Sequence, residues 1–314
     1  MRFNENANLD TSSIDDLRGS GGGGGVGGRV ALGGGGLGIV GILIFFLLQV
    51  LGGGGGGGSP IPLPSGGGLG GVQQGQSADN TQIAQACQTG ASANQQLDCE
   101  VVAVVNSLDN YWTDTFARSG QRYTPPRTVF FNGGVNTGCG GASSDTGPFY
   151  CPADSRVYID LSFYKELEQR FGAQGGNLSR AYVIAHEYGH HVQDLLGTTN
   201  RVQAGDSGPT SGSVRLELQA DCYAGVWTNH AASVPTSSGQ PLIEDINQQD
   251  IASVLDTASR IGDDFIQSNL GSGRVNSSQF THGTSQQREK WFNTGYNGGN
   301  PAQCDTFARG VNLG

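Results

Sequence analysis

Glycine limits what this chain can fold into more than any other residue. Many of its 54 glycines fall in three runs before position 76: "GSGGGGGVGG", "LGGGGLG" and "LGGGGGGGSP". Such runs offer no side chains to pack and lose the most backbone entropy on ordering, so they cannot build a core. The sequence therefore divides into a Gly-rich cytoplasmic tail (1–36), an apolar segment (37–53), a Gly/Pro-rich linker (54–78) and one globular domain (79–314).

The apolar segment "LGIVGILIFFLLQVL", Leu37–Leu51, reads as a single transmembrane helix. Its residues rise about 22 Å, and the flanking glycines extend that toward a hydrocarbon core of ~30 Å. A cleaved signal peptide and a buried core helix compete with this reading. The leader is long for the first, and no globular sequence surrounds the segment for the second. Arg2, Arg18 and Arg29 precede the span, and the next Lys or Arg is Arg118. The positive-inside rule then leaves the N-terminus in the cytoplasm and exports the domain.

The cysteines agree with export. Cys87, Cys99, Cys139, Cys151, Cys222 and Cys304 all follow the span, and no C-x-x-C spacing suggests a zinc cluster. An even, exported set points to disulfides in an oxidising compartment. Sequence leaves the pairing open; nearest neighbours would join Cys87–Cys99, Cys139–Cys151 and Cys222–Cys304. The formal charge of −10, with no basic run, excludes the positive patch that a nucleic-acid partner needs.

Within the domain, Val101, Val104, Val105, Leu108, Trp112 and Phe116 recur at helical steps. A strand is expected at Thr128–Phe131, then two short strands about the turn in "GPFYCPADSRVYIDL". Helices are expected in "SFYKELEQRFG", "VRLELQADCYAGVWTNHAAS", "EDINQQDIASVLDTASRIGDD" and the segment after "FTHG". The fold class is α+β.

Three of the five histidines sit in "AYVIAHEYGHHVQDLLG", Ala181–Gly197. Ala181, Ile184, Ala185, Tyr188, Val192 and Leu195 make one apolar stripe of a helix. His186 and His190 project together from another face, with Glu187 beside them. This is H-E-x-x-H, in which two imidazoles hold zinc and the glutamate serves as general base. A buried helix with satisfied polar groups is the bland alternative. His191, about 100° further round the helix, reads as structural or solvent-facing. His230 reads as interacting with the C-terminal dipole of its own helix.

A catalytic zinc needs a third protein ligand. Positions 193 and 196 are Gln and Leu, so the extended H-E-x-x-H-x-x-G-x-x-H pattern is absent. Glu217 and Asp221 lie four apart in "LELQADCY". Glu217 could complete the metal site, and Asp221 could accept the second ring N–H of one histidine; two solvated carboxylates are the alternative. His282 could stabilise an oxyanion or organise a turn. Pro148 marks the strand near Phe149 as an edge, and so as a candidate substrate-binding strand.

The chain resembles the bacterial "putative neutral zinc metallopeptidase" family over nearly its whole length. The motifs that carry the resemblance are "LDTSSIDDLRG", the glycine-rich apolar span, "GPFYCPADSRVYIDLSF", "AHEYGHHVQDLLG", "ELQADCYAGVW", "IGDD" and "FTHGTSQQREKWF". The resemblance implies a zincin-like domain in a single-pass protein of the bacterial inner membrane. It also implies a Zn2+ cofactor and endopeptidase action on peptide or protein substrates. The E-x-x-x-D pair resembles the gluzincins, in which the Glu is the third ligand, and a comparable Thr-His segment favours a catalytic His282. A catalytically silent envelope protein, with a structural zinc site or a binding role, is the alternative.

Overall fold

The computed structural model describes residues 1–19, 78–203, 205–236 and 239–314. The transmembrane segment expected at 37–53 lies outside the described residues, as do residues 20–36 of the tail and all but the last residue of the linker. Among the described residues, no helix is long and apolar enough to cross a membrane.

The structure departs from the sequence reading at once. Residues 1–19, read as the start of a loose tail, contribute two strands, β1 (Arg2–Phe3) and β2 (Ile14–Asp16). Phe3, Ala7 and Ile14 are buried in the main core. The reason is compositional: the first glycine is Gly19, so residues 1–18 carry side chains that can pack, and averaging them with the glycine runs hid this.

After the linker come α1 (Thr81–Ala86), α2 (Gly90–Ala93) and the long α3 (Leu97–Arg118). The apolar stripe expected in α3 is buried throughout, from Val101 to Phe116. Next are β3 (Arg127–Phe130), the hairpin β4 (Gly134–Thr137) and β5 (Gly140–Ser143), then β6 (Phe149–Cys151) and β7 (Arg156–Ile159). Four strands form one sheet in the order β2-β3-β7-β6. β2 and β7 both run parallel to β3, and β6 turns back antiparallel on β7 with Tyr150 opposite Val157. The edge position expected for β6 matches its place at one end of this order.

The remaining elements are mostly helical: α4 (Phe163–Gln169), α5 (Asn177–Leu195), α6 (Gly212–His230), the two-residue strand β8 (Ile243–Glu244), α7 (Gln248–Arg260), the single turn α8 (Asp263–Phe265) and α9 (Ser285–Gly298). Small sheets with C-terminal helices make a mixed α+β domain. Thr284 caps α9 in a reciprocal capping box with Gln287, so the helix begins where its cap residue dictates. Arg180 on α5 clasps the buried Glu100 on α3 at 2.8 Å and ties the two helices together. The stripe of α5 is buried from Ala181 to Val192, whereas Leu195 is exposed at the helix end.

Close helix approaches depend on glycine. A Cβ on Gly189 of α5 would lie 2.9 Å from the Ala220 Cα of α6. Between α6 and α9, a Cβ on Gly225 would lie 2.1 Å from the Phe292 carbonyl oxygen, and one on Gly295 would lie 1.9 Å from that of Cys222. These contacts bring α5, α6 and α9 close enough for short side chains to converge between them.

Three disulfides join Cys87 to Cys99, Cys139 to Cys151 and Cys222 to Cys304, the nearest-neighbour pairing. The last ties α6 to the C-terminal segment.

Candidate metal centre

Helix α5 presents His186 and His190 one turn apart, facing α6. Their Nε2 atoms are 3.2 Å from each other. Glu217 of α6 meets both: its Oε2 is 3.1 Å from His186 Nε2, and its Oε1 is 3.4 Å from His190 Nε2. His186 and Glu217 are buried and His190 nearly so, at the floor between the two helices.

The donor set fits zinc. Ligand bonds of about 2.0–2.1 Å in a tetrahedron place ligand atoms roughly 3.3 Å apart, and the three separations here bracket that value. The tautomers fit as well. Asp221 Oδ1 lies 2.8 Å from His186 Nδ1, and Gln193 Oε1 lies 2.9 Å from His190 Nδ1. Each acceptor takes the Nδ1 proton, so both Nε2 lone pairs point at Glu217. With both rings neutral, two lone pairs and a carboxylate converge in a buried space, where a positive charge, carried by a metal ion or by a proton, relieves their repulsion.

Gln193 is held in turn. Its amide nitrogen donates to the Leu216 carbonyl at 2.7 Å and to Gln219 Oε1 at 3.2 Å, which fixes the orientation of its oxygen toward His190. In the sequence this residue registers only as a departure from the extended histidine motif; its role depends on α6.

Asp221 is fully buried and carries a network that sequence did not show. Arg288 of α9 grips it with two nitrogens, Nε to Oδ2 and Nη2 to Oδ1, both at 2.9 Å. The Tyr182 hydroxyl donates to the same Oδ1 at 2.6 Å. A bidentate guanidinium is the fitting partner for a buried carboxylate with bonds to spare. Burial disfavours the charged form of both groups. The Asp221 carboxyl is nonetheless held below the usual range, because Arg288 and His186 outweigh that effect. His186 behaves in the opposite sense: burial lowers its pKa, but Asp221 and Glu217 lift it to about 10. Those two carboxylates favour positive charge on the His186 imidazole.

Glu187 stands beside the ligands, buried at 8 % exposure. Burial raises its pKa, against His186 and His190, which lower it. The backbone N–H of Tyr150 in β6 also favours its charged form, so the end strand of the sheet reaches the reacting region.

His282 lies on the loop before α9 and is organised by Asp263 of α8. Asp263 Oδ2 accepts the backbone N–H groups of Thr281, His282 and Gly283 at 2.8, 2.7 and 3.0 Å. Its Oδ1 is 3.3 Å from His282 Nδ1. Burial lowers the His282 pKa, but the charge of Glu217 and the contact with Asp263 carry it above its ordinary value. His282 thus sits within electrostatic reach of the ligands, yet outside the three-residue cluster.

The other singled-out residues fall elsewhere. His191 is buried and structural, with Nε2 on the Thr124 carbonyl at 2.8 Å and Nδ1 near the Tyr150 hydroxyl at 3.1 Å. His230 ends α6 but bonds the Gly299 carbonyl at 2.8 Å, so it joins α6 to the end of α9. Phe149, the expected substrate contact, points into a second small core and stacks on Tyr158 with ring centroids 5.1 Å apart. In a strand, side chains alternate, so the backbone of Tyr150 meets the site while Phe149 turns away.

A helix bearing H-E-x-x-H, joined by a carboxylate from the next helix, makes a candidate metal centre. The chain belongs to the family described as "Putative neutral zinc metallopeptidase", whose profile matches residues 1–307. It is 48 % identical over 223 residues to an uncharacterized protein of Mycobacterium tuberculosis, covering 71 % of this chain and 74 % of that one. It is 43 % identical over 213 residues to the uncharacterized protein YpfJ of Escherichia coli (strain K12), covering 66 % and 70 %. No solved structure matches the chain.

Proposed function

We propose that this protein is a zinc-dependent endopeptidase with a gluzincin-like centre, in which His186, His190 and Glu217 hold the metal. The observation that carries the reading is the mutual spacing of the three donor atoms, 3.1, 3.2 and 3.4 Å, which suits tetrahedral zinc. When bound, zinc would polarise a peptide carbonyl and make water more acidic.

The chain's own residues would then supply the proton traffic. Glu187 takes a proton from the attacking water onto a carboxylate oxygen and returns it to the leaving amine nitrogen. A carboxyl raised by burial suits a group that must both accept and give a proton near neutral pH. The Tyr150 N–H holds that carboxylate in place. A protonated His282, aimed by Asp263, stabilises negative charge growing on the carbonyl oxygen. Asp221 and Arg288 lock His186 in the tautomer that leaves Nε2 free for metal. Substrate would lie along β6 in extended form, contacting the backbone near Tyr150 rather than the Phe149 ring. The disulfides support an extracytoplasmic place of action on peptide or protein substrates.

A structural zinc in a catalytically silent protein would be closed by four protein ligands. Among the described residues the cluster offers three, with the H-E-x-x-H glutamate beside them. Elemental analysis tests the ligand set. Glu217→Ala should lose most zinc, and Asp221→Asn should weaken affinity by roughly 10- to 100-fold. Full zinc occupancy in Glu217→Ala would remove Glu217 from the site.

A further inference from the structure

Residues 1–19 are held by the kind of chemistry with which a protein grips an extended peptide. Three asparagines of the domain each clasp the segment's backbone with both ends of the side-chain amide. Asn94 accepts from the Phe3 N–H at 3.0 Å and donates to the Phe3 carbonyl at 2.9 Å. Asn106 does the same to Asp10, at 2.8 and 2.7 Å. Asn80 accepts from the Asp16 N–H and donates to the Ile14 carbonyl, both at 2.8 Å. Each amide stands in for one residue of a neighbouring strand.

Real strands complete the grip. β1 pairs antiparallel with β8, and β2 pairs parallel with β3. Between them, the Leu9 N–H donates to the Gln88 carbonyl at 2.9 Å. Arg127 binds the Ser12 and Ile14 carbonyls and pairs with Asp15. Gly90 lets the segment pass: a Cβ there would lie 2.0 Å from the Asn4 carbonyl oxygen. Phe3 and Ile14 have no exposed surface. The Cys87–Cys99 disulfide links α1 to α3, two walls of the groove that supply Asn80 and Asn106 at or beside them.

We infer that residues 1–19 are a docked peptide of this chain, built into the metallopeptidase domain and lying on the same side of any membrane as the metal centre. A single crossing within 37–53 would place the segment and the domain on opposite faces. A segment with two fully buried apolar residues and three clasped stretches of backbone cannot be docked across a bilayer. The cytoplasmic N-terminus expected from the positive-inside rule is therefore replaced by an N-terminus that shares the compartment of the disulfides. This inference does not depend on the peptidase reading.

The test uses the full chain, which has no free cysteine among its described residues. Single cysteines are placed at two exposed sites, Asn6→Cys in the segment and Ser272→Cys in the domain, and labelled in cells with a membrane-impermeant maleimide. Both sites should label alike, either in intact cells or only after permeabilisation. Labelling of one in intact cells and of the other only after permeabilisation would overturn the inference. Hydrogen exchange of the purified chain tests docking itself: the amides of Asn4, Leu9 and Leu17, which donate to Leu242, Gln88 and Phe130, should exchange at least about a hundredfold slower than in an unfolded chain. Exchange at the unfolded rate would refute the docked state.

Discussion

Replacing Gly295 with alanine tests whether the α6–α9 crossing holds the metal centre together. The new Cβ would sit 1.9 Å from the Cys222 carbonyl oxygen, 2.8 Å from its carbon and 2.8 Å from the Val226 nitrogen. All three are backbone atoms of α6, so no side chain can swing away. Relief requires the helices to part by roughly 1.5 Å at a contact packed as densely as an organic crystal. Overpacking of this kind costs about 1–3 kcal/mol, and a clash against rigid backbone belongs at the upper end. For a domain of this size each kcal/mol lowers Tm by roughly 2–4 °C, which gives a fall of about 6–12 °C. Arg288 lies two turns before Gly295 on α9 and grips Asp221 of α6. The same displacement should therefore weaken zinc retention, read by elemental analysis after dialysis against a mild chelator. A Tm within 1–2 °C of wild type, with zinc retained, would show that the crossing has slack and that the geometric reasoning is wrong.

Two further outcomes are expected. Burial raises the Asp109 pKa from 3.8 to about 7, against hydrogen bonds from Ser13 and Tyr123. Because the folded value lies above the unfolded one, the stability this group contributes is complete below about pH 4 and is lost as pH rises through 7. The swing is on the order of 4 kcal/mol at most. Asp109→Asn should flatten the pH dependence of Tm across that range and raise Tm at pH 8; an unchanged slope would show that Asp109 does not titrate there. Mass spectrometry of protein isolated without reductant should find no free thiols, since all six cysteines are paired. Six free thiols would overturn the extracytoplasmic placement.

How legible the molecule was depended on the range of each interaction. The metal helix could be read directly, because H-E-x-x-H places its ligands through local geometry alone. Glu217 and Asp221 could be read as a pair for the same reason, and α6 carries both to His186. Arg288 could not: its partner Asp221 is 67 residues away, and nothing in a helix's first turns announces a distant carboxylate. Gln193 looked like a missing motif position and proved to be the acceptor for His190. Phe149 was assigned to the substrate because Pro148 marks an edge, yet pleating turns its ring into a core against Tyr158. The largest miss was the N-terminal segment. Two- and three-residue strands such as β1 and β2 leave almost no periodic signal, and the glycine runs that follow made the whole stretch read as tail. The hairpin β4–β5 was invisible for a related reason, since three of its eight strand residues are glycine and two more are Ala and Ser.

The central claim is that a metal held by His186, His190 and Glu217 works with Glu187 to hydrolyse peptide bonds. The most direct measurement compares wild type with Glu187→Gln for cleavage of an unfolded protein substrate, with zinc content measured on the same samples. The amide is nearly the same size as the carboxylate and is not among the three ligands, so zinc should remain while cleavage falls by about 10²- to 10⁴-fold. Undiminished cleavage by a Glu187→Gln protein that retains its zinc would contradict the account.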